Sequence, residues 1–421
     1  MMKYLKHLLA FTFLLSAFSS KAASILIPMD DVQKDHLKSY GIAFWVLKNG
    51  DEVDWLLNYR GGSFMTLYNK KTEDECKIRG VTYEVLADAK VSEITAQIND
   101  PSVNMDLVKL QKAPRVAVYS PKIGVLPSDD AVILVLKYAE IPFDIIYDAE
   151  VLKDELPKYD WLHLHHEDFT GQYSKTGRGR NSSRFIEDKQ IQEATARQFG
   201  YKKVSKMKLA VAQRIRDFTA GGGFLFAMCS GADSFDIALA AANTDIVDET
   251  YDGDPPDPRA QSKLDFSQTF AFQNFTVVTG NGRGFSNIDT GPLHRSIGME
   301  NDFFTLFDFS AKWDVVPSML TQDHDRVIKG FMGLATAFNK NMLKPGVTIM
   351  GEMKTMNEAR YIHGEYGKGQ WTFYGGHDPE DYQHGFNEPP TDLNLHPNSP
   401  GYRLILNNVL FPAAKKKKLK T

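Results

Sequence analysis

Within residues 221–235 a glycine run, a short apolar stretch, a cysteine and a new helical periodicity follow one another without a gap. Gly221-Gly222-Gly223 breaks the helix before it, and Phe224 to Met228 is long enough for one strand buried on both faces. Cys229 comes next, then the small residues Ser230, Gly231 and Ala232, then Phe235, Ile237, Ala238 and Leu239 at helical spacing. Strand, sharp turn, nucleophile-type residue and helix form the layout of a nucleophile elbow. Such a turn lifts one side chain above the carboxyl edge of a parallel sheet and aims the first N–H groups of the helix at the same place. A thiol held there has its pKa drawn below the free value of about 8.5, because the helix dipole favours thiolate. The plain alternative is a structural cysteine packed in a sheet core.

The flanking sequence supplies elements for such a sheet. Ser24 to Met29 and Val53 to Tyr59 read as strands, with helical apolar spacing at Leu37, Tyr40, Phe44 and Leu47 between them. This predicts a βαβ extension over 23–110. Arg115 to Tyr119, Phe143 to Tyr147 and Tyr159 to Leu164 read as three more strands, and Asp129-Asp130 caps a helix running to Tyr138. Met207 to Phe218 is an amphipathic helix that leads into the glycine run. Phe270 to Val278 and Val347 to Met350 look like strands. Ala359 to Tyr366 and Gln370 to Tyr374 flank a tight hairpin at Gly367-Lys368-Gly369, and Arg403 to Leu410 closes the chain as a helix. Gln172 to Ser183, Asp245 to Asp257 and Gly280 to Gly284 read as loops or turns. Strands alternating with helices predict an α/β domain over 111–412, built on a doubly wound, mainly parallel sheet.

Residues 1–22 are expected to be a leader. Lys3 and Lys6 precede an apolar run from Leu8 to Phe18, and Ser20-Lys21-Ala22 offers a small-x-small cleavage site. The run is too short to span a membrane, so export to the periplasm or beyond the cell is predicted, with no membrane span. The formal charge of the 421-residue chain is −4. Losing Lys3, Lys6 and Lys21 with the leader brings it to about −7, which argues against a nucleic-acid partner. The tail at 413–421, with Lys415 to Lys418 and Lys420, reads as a solvated end. Cys76 and Cys229 are the two cysteines. A bond between them would remove Cys229 as a nucleophile, but a lone bridge is the less expected use of an oxidising compartment. Oligomeric state is not legible.

In a parallel α/β sheet, function gathers outside the carboxyl ends of the strands. Three such ends carry reactive residues: His163 to Asp168, Cys229 to Gly231, and His377 to Asp381. One reading is nucleophilic catalysis, with Cys229 as nucleophile, His377 as its base, and Asp378 or Glu380 orienting the imidazole. The N–H groups of Ser230 and Gly231 would receive the oxyanion. His165, His166, Glu167 and Asp168 are expected at the rim. A second reading takes His163 and His165, which alternate onto one strand face, with His166, Glu167, Asp168 and His377 as zinc ligands. No standard ligand spacing appears, so no metal or other cofactor is expected, and His163 reads first as a strand histidine packed beneath a helix. A third reading rests on Ser230 to Ser234, which is similar to the Ser-Gly-Gly-x-Asp-Ser pyrophosphate loop of ATP pyrophosphatases but one residue short.

From about Lys112 to Pro412 the chain resembles the class I glutamine amidotransferase-like superfamily, and within it the trehalose-utilisation (ThuA-like) domains. The residues that carry the likeness are Gly221-Gly222-Gly223-Phe224-Leu225 through Gly231-Ala232-Asp233-Ser234-Phe235, and Glu365-Tyr366-Gly367-Lys368-Gly369-Gln370 through Gly376-His377. The resemblance implies a flavodoxin-like sheet with an elbow nucleophile. ThuA-like domains typically carry histidine at the position of Cys229. Amidotransferases carry cysteine there, with glycine two residues earlier, where this chain has Ala227, and a His-x-Glu pair, where it has His377 and Glu380. The full chain also resembles exported Bacteroidetes proteins that carry the name asparagine synthetase B. Enzymes of that kind use an N-terminal cysteine exposed by removal of the initiator methionine, and position 2 here is Met2. The expected function is an exported Cys-His hydrolase or amidase acting on an amide or related carbonyl compound, a small molecule or one derived from glycan or peptide. A non-catalytic ThuA-like carbohydrate-binding or scaffold protein is the alternative from another class.

Overall fold

Two sheets carry the chain in a computed structural model, which describes residues 22–121, 130–165, 167–173, 183–280, 284–291, 296–385 and 388–414. Residues 1–21 of the expected 1–22 leader, His166, most of the 172–183 loop, residues 281–283 and the basic tail from 415 lie outside the described residues. Among the described residues no helix is long and apolar enough to cross a membrane.

The first sheet comprises β1 (Ala22–Ile27), β2 (Val53–Leu57), β3 (Ser63–Leu67), β4 (Glu84–Ala87) and β5 (Asp106–Leu110). Their order is β4-β1-β3-β2-β5, and every neighbour is antiparallel. Helix α1 (His36–Lys48) connects β1 to β2, and α2 (Lys70–Arg79) and α3 (Asp88–Asn99) complete the unit. The expected βαβ extension is therefore wrong, because β3 lies between β1 and β2. The cause is the turn after β2. Gly61 and Gly62 adopt φ of 76° and 86°, a region that suits glycine, and send the chain straight back as β3. Strands joined by a tight turn pair antiparallel, whereas a parallel neighbour needs a crossover.

The second sheet comprises β6 (Val116–Tyr119), β7 (Asp144–Ile146), β8 (Trp161–Leu164), β9 (Phe224–Met228), β10 (Phe303–Leu306), β11 (Val327–Lys329), β12 (Phe338–Asn339), β13 (Thr348–Met353), β14 (Glu358–Tyr366) and β15 (Gly369–Tyr374). The order is β11-β10-β13-β14-β15-β9-β8-β6-β7, with β12 beside β14. Four pairings, from β7 through β6, β8 and β9 to β15, are parallel. The other five are antiparallel. The expected doubly wound, mainly parallel, flavodoxin-like sheet is thus corrected to a mixed α/β sheet with an antiparallel half. Helices α4 (Ala131–Tyr138), α5 (Asp148–Leu152), α6 (Ser183–Gln198) and α7 (Val204–Ala220) lie between the strands from β6 to β9, where crossovers permit parallel pairing. From β13 onward the connections are tight turns, and Gly367 at φ 62° closes the β14–β15 hairpin.

Alternate residues of β9 serve opposite faces of the sheet. Phe224, Phe226 and Met228 join a core with α1, α4 and α9 (Pro400–Leu410), and Leu225 and Ala227 join one with α7 and α8 (Ser230–Ala240). The buried Arg403 ties the sheets together: its guanidinium donates to the carbonyls of Met29 at 3.1 Å and Gly61 at 2.7 Å. The expected strand at Phe270 to Val278 is absent. Asp236 accepts the amides of Phe270, Ala271 and Phe272, which a ladder would otherwise need.

Candidate functional site

Strands β8, β9 and β15 are adjacent and parallel, so His165, Cys229 and His377 emerge from the same edge of the sheet. The backbone draws them together. The Gly231 N–H donates to the His165 carbonyl, and a Cβ at Gly231 would run into that oxygen. The Cys229 N–H donates to the Gly376 carbonyl at 3.1 Å. Cys229 itself is held at φ 51°, ψ −142° as the N-cap of α8. A non-glycine residue in that region is strained, and such strain persists only where the surroundings over-determine it.

The cysteine sulfur is covered. Residues 330–337, between β11 and β12, pass over it as a strap, and Cys229 is 1% exposed. The Leu334 N–H donates to Cys229 Sγ at 3.1 Å. A Cβ on Gly333 would stand 3.0 Å from that sulfur, 3.0 Å from the Gly376 carbonyl carbon and 3.1 Å from the His377 nitrogen, so the sulfur and the start of the histidine turn flank one glycine. Burial pushes the Cys229 thiol up to about 11, while the N–H groups of Ala335, Leu334 and Ser230 act in the opposite direction. Both cysteines are free and buried, so no bond joins Cys229 to Cys76. The strap is anchored at both ends by Arg360, whose Nη1 donates to the carbonyls of Phe331 at 3.0 Å and Thr336 at 2.6 Å. The other arm of that guanidinium grips both oxygens of Asp302 at 2.7 and 2.8 Å, deep in the interior.

His377 Nδ1 lies 2.9 Å from His165 Nε2, and His165 Nδ1 lies 3.3 Å from Asp130 Oδ1. The polar chain behind His377 therefore runs through a second imidazole to the N-cap of α4. The expected orienting carboxylates are engaged elsewhere. Asp378 accepts the Glu380 N–H at 2.9 Å and the Thr391 hydroxyl at 2.8 Å, and Glu380 pairs with His396 at 3.2 Å. The His384 ring lies 5.5 Å from that of His377, tilted by 31°, with its own Nδ1 2.7 Å from Asp381.

The remaining expected residues divide. Ser230 Oγ is buried with no hydrogen-bond partner among the described residues, and the Ser230 N–H faces Sγ, whereas the Gly231 N–H is spent on His165. Of the rim, His165 points inward. Glu167 accepts from the Tyr147 hydroxyl at 2.9 Å, and burial raises its carboxyl to about 7. Asp168 accepts the amides of Thr170 and Gln172, and so closes its own turn. Ser230 to Ser234 forms the first turns of a buried helix rather than an open phosphate loop. Sequence reading missed Asp130 as a site residue, having taken it only as a cap. It also missed Asp233 on α8, whose carboxyl burial holds well above the usual range, with Asp289 and Asp168 acting in the same direction. The strap had one legible signal, glycines at 330 and 333 inside an apolar stretch, the mark of close backbone approach.

No family model matches the chain, and no curated protein is similar to it. Among solved structures it is similar to two cytoplasmic proteins of Salmonella typhimurium, each at 11% identity over 72% of this chain and 100% of the other, with TM-scores of 0.35 and 0.32. A β-galactosidase from Bacillus circulans sp. alkalophilus is similar at 12% identity and a TM-score of 0.26, over 73% of this chain and 32% of that one. Likenesses this weak leave the site to be read from its own geometry.

Proposed function

We propose that this chain is an exported thiol hydrolase acting on an amide or related carbonyl bond, with Cys229 as nucleophile and His377 as its base. The observation that carries the reading is Cys229 held at φ 51° between a buried strand and a helix N-terminus, beside a histidine turn. His165 is the group that orients His377, in place of the carboxylate expected from the sequence. The tip of the strap moves off the sulfur to admit substrate. Removing that cover also lifts the burial that raises the thiol pKa. In the acylation step the thiolate bonds to the carbonyl carbon, His377 delivers the thiol proton to the leaving amine as the C–N bond breaks, and a thioester remains. Water, deprotonated by the same imidazole, then releases the acid and restores the thiol. The resemblance to amidotransferase-like chains supports this reading, and the substrate is a small molecule or one derived from glycan or peptide.

The burial of Cys229 favours a second reading, a non-catalytic binding or scaffold protein on the same framework. A thiol-reactive probe separates the two. Native-state labelling of Cys229 near neutral pH that slows by about a hundredfold in His377→Ala supports the hydrolase. Slow labelling that the substitution leaves unchanged supports the binding protein.

A further inference from the structure

Asp130, His163 and His165 converge behind the His165–His377 contact. Asp130 caps α4, its Oδ1 accepting the amides of Val132 at 2.9 Å and Ile133 at 3.0 Å. His163 and His165, two residues apart at the end of β8, point to one side. His163 Nε2 lies 3.5 Å and His165 Nδ1 3.3 Å from Asp130 Oδ1, and the three atoms lie within 4.8 Å of one another. All three residues are buried.

The hydrogen bonding of His163 restricts what can occupy this point. Its Nδ1 is 3.2 Å from the Phe226 carbonyl, which can only accept, so Nδ1 carries a proton. Nε2 is then the atom facing the Asp130 carboxylate, and it has no hydrogen-bond partner among the described residues, in a side chain that is 0% exposed. A lone pair and a carboxylate oxygen facing each other in a dry interior need a positive charge between them. The separations are longer than the roughly 2.7–3.2 Å of a good N–H···O bond. They fit donor atoms about 2.0–2.1 Å from a tetrahedral zinc ion, which stand about 3.3–3.4 Å apart. Donation from the far ring nitrogen to a backbone carbonyl is also the usual support for a metal-bound imidazole.

The geometry points to a binding site for one divalent transition-metal ion, zinc being the best match, formed by Asp130, His163 Nε2 and His165 Nδ1. The site does not depend on Cys229 being a nucleophile. Because its ligands are buried, the ion enters as the chain folds.

The test is to refold the full chain from urea with one equivalent of Zn²⁺ or with chelator, desalt it, and measure bound metal by mass spectrometry. The chain refolded with Zn²⁺ should retain one equivalent, and refolding with Co²⁺ should give the visible bands of a tetrahedral site. Asp130→Asn keeps a helix-capping side chain and is expected to fold. Both it and His163→Gln should lose the bound metal, with affinity falling at least about a hundredfold. Asp381→Asn, in the second cluster formed with His384 and Glu388, should leave retention unchanged. The proposal is overturned if the parent chain retains less than about a tenth of an equivalent, or if Asp130→Asn and His163→Gln bind as the parent does.

Discussion

The N–H of Leu334 donates to the sulfur of Cys229 across 3.1 Å, although the two residues are far apart in sequence. Leu334 is 44% exposed at the tip of the strap, while the sulfur beneath it is sealed. Opening of the tip alone would therefore uncover the thiol without disturbing the sheet.

Gly333 controls that cover. A side chain there meets Cys229 Sγ, the Gly376 carbonyl carbon and the His377 nitrogen at 3.0–3.1 Å. Gly333→Ala should destabilise the closed strap by about 1–3 kcal/mol and so raise the native labelling rate of Cys229 by about tenfold or more. Stopped-flow labelling of the variant against the parent checks this, with a urea melt to confirm that global stability has changed less.

Arg360 anchors the strap through a buried bidentate pair with Asp302. Arg360→Met leaves that carboxylate without its guanidinium and should cost about 3–5 kcal/mol, read from the urea midpoint at constant slope. Adding Asp302→Leu should recover part of the loss, because an apolar pair removes the orphaned charge.

Gly231 is where the α8 backbone meets the His165 carbonyl. Gly231→Ala should force the helix start away from β8 and destabilise the fold by about 1–3 kcal/mol or more. Far-ultraviolet circular dichroism against temperature would report it as a lowered Tm with native secondary structure before the transition.

His363 gives the chain a predictable acid weakness. Burial pushes this imidazole down from 6.5 to about 4, so the unfolded chain binds the proton more readily between those values. Its stabilising contribution is present above about pH 6.5 and is lost as pH falls towards about 4, at up to about 1.4 kcal/mol per pH unit. Urea titrations at several pH values should show this slope in the parent and a shallower one in His363→Gln.

The elbow at 224–240 was legible because its determinants are local: a glycine break, a strand-length apolar run and a helical period. The hairpin about Gly367 and the closing helix were legible for the same reason. Sheet polarity was not, since Gly61-Gly62 reads as the end of one strand and only the folded chain shows β3 entering between β1 and β2. The partner of His377 was hidden differently. Neighbours in sequence suggested Asp378 and Glu380, but the turn after Gly376 directs Glu380 to His396, and the parallel pairing of β8, β9 and β15 brings His165 across instead. Asp130 resembles any helix cap until the crossover before β8 sets it beside two imidazoles.

Cys76 provides an internal standard for the proposed nucleophile, since it too is free and buried, and burial pushes its thiol up to about 12. The most direct measurement is the ratio of alkylation rates at the two cysteines in the native chain, read by peptide mass spectrometry without denaturant. A thiol beneath a strap that opens locally should react about a hundredfold or more faster than one released only by global unfolding. Equal rates at the two positions, both rising together with the urea-induced loss of structure, would contradict the assignment of Cys229 as a nucleophile.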